Sequence, residues 1–314
     1  MRSGILLVNK RSGPTSHDVV DSVRKKLGVR KVGHAGTLDP FAKGLLILGI
    51  NKGTRILEYF KDMYKTYRGK MKLGLITETF DITGEVREER ECNVSLEDIE
   101  EAFQSFVGEY DQVPPAYSAR RYKGERLYEL ARKGVIIRLP PKRVKINWIR
   151  ILDVNLDEKT VLFETEVSPG TYIRSLAMDV GYKLGCGAVL LELERLRIGH
   201  FSVEESIDIE SMPAEQLERH IIPLNEALKD LPAIVVTKSC GDKVLNGSQV
   251  YVDDVVEVSD DFEKGALVRI IDEKGRFLAV ATAERKSGFI RTLKRLGRHD
   301  RIAKLRKVFG EERG

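Results

Sequence analysis

Apolar and polar positions change register along the chain, and each register predicts an element. Residues 4–9, Gly-Ile-Leu-Leu-Val-Asn, form an unbroken apolar run of strand length. A Ser-Gly-Pro-Thr-Ser turn follows at 12–16. Val19, Val20, Val23 and Leu27 then recur at helical spacing, with Ser16 as the expected cap and Gly28 as the stop. Residues 33–40 read as a loop and 44–50 as an apolar strand. Residues 67–75 alternate basic and apolar groups, as a half-buried strand does. Residues 81–84 turn. Ser95 with Asp98 three positions on is a capping box, and Ile99, Phe103 and Phe106 give the helix that follows its apolar stripe.

Beyond Val113-Pro114-Pro115, an extended break, a short helix is expected over 125–133, ended by Pro140-Pro141. Strands are expected at 144–156 and 161–167, and helices at 174–184, 204–217 and 225–228. After Leu231-Pro232 the texture changes. Short strands at 233–237, 255–258, 267–272 and 278–283 are punctuated by Asn246-Gly247, Lys264-Gly265 and Lys274-Gly275. Short strands with glycine turns indicate a small β-barrel. Strands and helices without strict alternation indicate an α+β class for the larger part. The expected division is residues 1–230 and 231–314.

Charge sharpens this picture. The chain carries +5 overall, but residues 120–145 hold ten Lys/Arg against two Glu, and residues 285–313 hold eleven against three acids. Each block is thus at +8, which leaves the rest at −11. Two basic blocks on an otherwise acidic chain are the footprint of a polyanion partner. No apolar run approaches eighteen residues, and the start lacks a signal-peptide pattern, so no membrane and a cytoplasmic location are expected. Cys92, Cys186 and Cys240 are few and far apart. They suggest neither a disulfide framework nor a zinc site, and Cys186, between two glycines, reads as a packing residue. No metal-ligand cluster or phosphate-binding glycine loop is present, so neither a metal nor a cofactor is expected.

The segment that carries chemistry is GHAGTLDP, residues 33–40. Its glycines permit sharp turns or close approach to a ligand, and Pro40 constrains Asp39. With Gly44-Leu45-Leu46 behind it, this string resembles the signature of the TruB family of pseudouridine synthases. Further matches follow in order. They are residues 4–10 with Thr15-Ser16-His17, Lys65-Thr66-Tyr67, Thr77-Glu78-Thr79-Phe80-Asp81 closed by Gly84, and Gln112 to Ala119 leading into Gly124-Glu125-Arg126-Leu127. Last comes Ser168-Pro169-Gly170-Thr171-Tyr172-Ile173-Arg174. The matches span residues 4 to about 200, and the tail resembles the RNA-binding barrel known as a PUA domain. The chain departs from the family at Arg11, where a proline is usual, and at Glu194, where many relatives carry arginine.

The resemblance implies isomerisation of the T-loop uridine, position 55 of tRNA, with Asp39 as the nucleophile on a flipped-out nucleotide. It implies Arg174 as the partner of Asp39, and Tyr67 as stacking platform and proton acceptor. It places Tyr172, Leu193, Asp81, His34 and Lys10 at the substrate. Residues 120–145 would form an inserted thumb whose Arg120, Arg121 and Lys123 meet phosphates. The expected partner is tRNA, gripped at the T-arm and the acceptor end, by a monomer that needs no guide RNA. The alternatives are a guide-RNA-dependent pseudouridine synthase and a non-catalytic RNA-binding or RNA-folding protein.

Overall fold

The computed structural model describes residues 3–117, 121–122, 124–127, 130, 133, 135, 137 and 139–310. Contacts divide the chain into two compact units. One comprises Leu6–Gly49 and Leu57–His220. The other comprises Met1–Ile5, Ile50–Ile56 and Ile221–Gly314.

The first unit is built on a sheet in which the strands Gly4–Lys10, Lys43–Ile50, Ala188–Ile198, Lys65–Leu73, Thr160–Val167, Lys142–Asn155 and Gly108–Gln112 are neighbours in that order. The Ala188–Ile198 strand runs parallel to Lys43–Ile50 and antiparallel to Lys65–Leu73. The pairings from there to Gly108–Gln112 are antiparallel. The sheet is therefore mixed and largely antiparallel, as the class requires. Its core joins Met71, Phe163, Ile146 and Leu190 to Leu176 and Val180 of the helix Ile173–Lys183 and to Ile99 and Phe103 of the helix Leu96–Gln104.

Several details differ from the sequence reading. The cap of the helix Ser16–Leu27 is Thr15, whose side chain accepts from the Asp18 amide while Asp18 returns the bond. Ser16 is buried and turned to another purpose. The helix expected over 204–217 is only a 3-10 turn at Val203–Glu205 and a helix at Ala214–Arg219. Between them Ile207 bridges Val8 in parallel, and its amide donates to the Leu7 carbonyl. Glu125–Arg126, expected to open a helix, pairs as a strand with Arg121–Tyr122. Leu127 and Leu130 are helical, and the rest of that expected helix lies largely outside the described residues. The cysteine reading needs a correction too. Cys92 and Cys186, 94 residues apart in sequence, are joined as a disulfide, while Cys240 is free and buried. The sheet and the turn after the helix Ile173–Lys183 bring the two together, which spacing alone cannot reveal.

In the second unit, Gly4 and Ile5 pair with Pro223 and Ile222. Its main sheet runs Val250–Tyr251, Arg301–Val308, Phe277–Ala283, Leu267–Asp272, Ala233–Val236 and Val255–Val258. It wraps a core of Ile234, Val268, Ile270, Leu278 and Ile302, which also takes Val244 from the helix Lys238–Leu245 and Ile290 from the helix Ser287–Arg295. This is the expected small barrel-like sheet. Among the described residues, no helix is long and apolar enough to cross a membrane, and no group of acids, histidines and cysteines could hold a metal ion.

Candidate active site

Asp39 lies in the loop between the strands Val32–His34 and Lys43–Ile50. Its side chain keeps 32% of its surface exposed, whereas that of Arg174 keeps 5%. Arg174 stands at the start of the helix Ile173–Lys183, and its guanidinium meets the Asp39 carboxylate at two points. Nε lies 2.9 Å from Oδ2 and Nη2 lies 3.2 Å from Oδ1. Only the Nη2 contact has hydrogen-bond geometry, and the Nε contact adds to the ion pair, so the guanidinium fixes the position of the carboxylate. The same guanidinium also lies 3.1 Å from Asp81 and donates to the carbonyls of Thr79 and Tyr117, each at 2.9 Å.

Asp81 is buried and fully engaged. It accepts from the Thr79 hydroxyl at 2.7 Å, the Thr83 hydroxyl at 2.5 Å and the Thr83 amide at 3.0 Å. Between Thr79 and Asp81, Phe80 holds φ at +64°. A bulky residue in the left-handed region is strained, and such strain persists only where neighbours impose it. Here the Phe80 carbonyl accepts from the Leu190 amide and the Ile82 amide donates to the Leu190 carbonyl. The bend lets the Thr79 carbonyl and the Asp81 carboxylate reach one guanidinium.

The Asp39 loop is held by its carbonyls. Ser16 Oγ donates to Leu38 O and accepts from Leu38 N. Ser12 Oγ donates to Phe41 O, and the Gly13 amide donates to Pro40 O. Lys10, 1% exposed, donates to the carbonyls of Arg11, Pro40 and Ala42 at 2.9, 3.2 and 2.6 Å. Burial pushes its ammonium down to about 8, opposed by the nearby Asp39 carboxylate. Lys10 therefore spends its donors on the loop.

The remaining expected residues lie as follows. Tyr67 and Leu193 are buried and share one core cluster with Leu38. His34, half-buried, ends the strand that leads into the loop, and burial holds its imidazole below the usual pKa. Tyr172 immediately precedes the helix that carries Arg174. Arg120 and Lys123 lie outside the described residues, as does the side chain of Arg121.

Two supporting residues were not singled out from sequence. Buried Gln112 accepts from the Tyr172 amide at 2.8 Å and donates to the Tyr172 carbonyl at 3.0 Å. It pins the entry to the Arg174 helix, which has no side-chain cap of its own. Arg195, 1% exposed, donates to the carbonyls of Leu45, Thr37 and Gly36. Nothing in local spacing marks either one, because their partners lie 60 and about 150 residues away.

A carboxylate aimed by a buried arginine suits attack on or charge stabilisation at an electrophilic carbon. Comparison with known proteins identifies the family. Residues 24–173 match the model of the TruB family pseudouridylate synthase N-terminal domain, residues 174–229 the tRNA pseudouridylate synthase B C-terminal domain, and residues 232–305 the PUA domain. The chain is 60% identical to the tRNA pseudouridine synthase B of Thermotoga maritima, over 98% of this chain and 99% of that protein. It is 39% identical to that of Aquifex aeolicus, over 91% and 97%. Among solved structures it resembles an H/ACA ribonucleoprotein bound to a substrate RNA containing 2'-deoxyuridine, with a TM-score of 0.76 and 26% identity, over 99% of this chain and 86% of that one. The chain belongs to the TruB family of tRNA pseudouridine synthases, isomerases that carry a C-terminal PUA domain.

Proposed function

We propose that this enzyme isomerises the T-loop uridine of tRNA and that Asp39 is its nucleophile. The observation that carries the reading is the two-point pairing of the half-exposed Asp39 with the buried Arg174. It leaves about a third of the carboxylate side chain open to solvent while holding it in place.

The nucleotide must leave its stack to be reached. Asp39 then bonds to C1′ as the C1′–N1 bond breaks, and the electron pair leaves with the uracil as an anion. The base turns, C5 bonds to C1′, and the carboxylate departs. The proton on C5 is lost to an acceptor, for which Tyr67 is the candidate, and N1 gains one. Atoms and charge balance, and no redox step occurs. Leu193 and Tyr172 would line the base, His34 would take the space it vacates, and Asp81 would steady Arg174. Lys10 would serve the substrate through the loop it holds. Arg120, Arg121 and Lys123 would meet phosphates of the T-arm, and the basic C-terminal block those of the acceptor end.

The enzyme is expected to act as a monomer on tRNA alone, in the cytoplasm. The H/ACA likeness raises a guide-dependent reading, but the 60% and 39% relatives are named for tRNA. The test is a chemical map of pseudouridine in a plain tRNA transcript incubated with pure protein. Wild type should convert the T-loop uridine without another component. Asp39→Asn should retain tRNA affinity and lose turnover by at least about 1,000-fold, the scale of losing a covalent nucleophile. Full turnover in that variant would overturn the reading.

A further inference from the structure

We infer that Arg195 is a positioning residue for the isomerisation, acting through the loop that presents Asp39. This rests on the reading of Asp39 given above. Arg195 lies in the strand Ala188–Ile198, opposite Tyr67 on one side and Gly44 on the other. Its side chain is among the largest fully buried ones of the described residues. Among the described residues its hydrogen bonds go to backbone and to no carboxylate. Its donors go to backbone carbonyls on both arms of one loop. Nε donates to Leu45 at 2.7 Å, Nη1 to Thr37 at 3.4 Å and Nη2 to Gly36 at 3.3 Å.

A buried cation that lacks an acid partner is costly, and an apolar side chain of like volume would be cheaper for the fold. What the guanidinium supplies is a planar fork that spans two strand ends at a set distance. Gly36 and Thr37 enter the loop and Leu45 leaves it, so Arg195 fixes the width of the base on which Asp39 stands. The backbones are close there. A Cβ on Gly44 would lie 2.4 Å from the Arg195 carbonyl oxygen, and Gly44 has φ of +106°. Only glycine suits that place. The loop is therefore gripped from the Arg195 side by guanidinium and backbone together, while Lys10 and Ser16 hold it from the other side.

The test compares Arg195→Lys and Arg195→Met with wild type, with exposed Arg197→Met as a control on the same strand and Asp39→Asn run in parallel. The lysine keeps the charge and loses the fork. Both Arg195 variants should bind tRNA within about twofold of wild type, with single-turnover isomerisation slowed by about 100-fold, the scale set by misplacing a reacting group. Amide exchange should quicken over residues 36–45 and not in the strand Thr160–Val167. Arg197→Met should match wild type. A folded Arg195→Lys with wild-type rate would overturn the inference, as would lost tRNA affinity at an unchanged rate. If neither Arg195 variant folds, exchange in the wild type decides. The amides of 36–45 should then be protected far beyond exposed loops, and unprotected ones would overturn it. Retained turnover in Asp39→Asn would instead sink the reading of Asp39.

Discussion

A guanidinium that serves two carboxylates and two carbonyls has no substitute in the twenty side chains. Arg174 lies 2.9 Å from Asp39 and 3.1 Å from Asp81, and Asp81 is buried. Removing the arginine would leave the Asp81 carboxylate with only neutral donors. Breaking a buried pair from one side costs about 3–5 kcal/mol. Arg174→Met should therefore lower the urea unfolding free energy by about that much and abolish measurable isomerisation. Arg174→Lys should recover part of the stability and little of the rate, because an ammonium cannot hold both oxygens of Asp39. Equal stability of Arg174→Met and wild type would show that Asp81 is not bound as described. At this scale the sequence was most legible. The GHAGTLDP string and the Tyr172-Ile173-Arg174 run pointed to the residues that now sit together. Gln112 and Arg195 were not singled out, because a side chain that works on distant backbone carbonyls leaves no periodic trace.

Elements were legible where their stabilisation is local. The Ser95–Asp98 capping box and the apolar stripe behind it predict the helix Leu96–Gln104, and that helix is present. The strand Ala188–Ile198 was missed although it lies inside the sheet. Its alternation is broken by register shifts at Leu190/Glu192 and Arg195/Arg197, where bulges re-aim the side chains. The helix expected over 204–217 failed for a related reason. Its apolar residues Ile207 and Ile209 serve an extended chain beside Val8, and only tertiary contact shows that. The helix Ile173–Lys183 carries a testable charge as well. Asp179 is held by burial up to about 6, against 3.8 for a free aspartate, with the Tyr110 hydroxyl 3.4 Å away. An acid whose folded pKa is raised contributes its stability fully below its unfolded pKa and loses it as pH rises through about 6. A shift of this size corresponds to at most about 3 kcal/mol. Asp179→Asn should thus be more stable than wild type at pH 7 and should lack the wild-type decline between pH 4 and pH 7 in thermal unfolding. A wild-type curve that rises over that interval, with the variant following it, would contradict the assignment.

The whole molecule is marked by uneven charge and by one covalent link. The two basic blocks each carry a surplus of eight against a chain total of +5, so tRNA affinity should fall steeply with salt. Neutralising Arg120, Arg121 and Lys123 should flatten the slope of log affinity against log salt by about 2 to 3, at roughly 0.7 to 0.9 per phosphate contact. An unchanged slope would remove those residues from the interface. The link is the Cys92–Cys186 disulfide. It ties the segment ahead of the helix Leu96–Gln104 to the turn between the Arg174 helix and the Arg195 strand. Its separation of 94 residues closes a long loop of the unfolded chain. By chain entropy that closure disfavours the unfolded state by about 4.7 kcal/mol. Reductant would break the bond, so the measurement uses protein purified without it. Denatured without reduction, the chain should expose one thiol, that of Cys240, and three after reduction. The reduced protein should unfold at lower temperature, and Cys92→Ser should unfold at that same lower temperature with or without reductant. Three thiols before reduction, or a melting point indifferent to reductant in the wild type, would show that Cys92 and Cys186 only pack together and that the fold rests on its core alone.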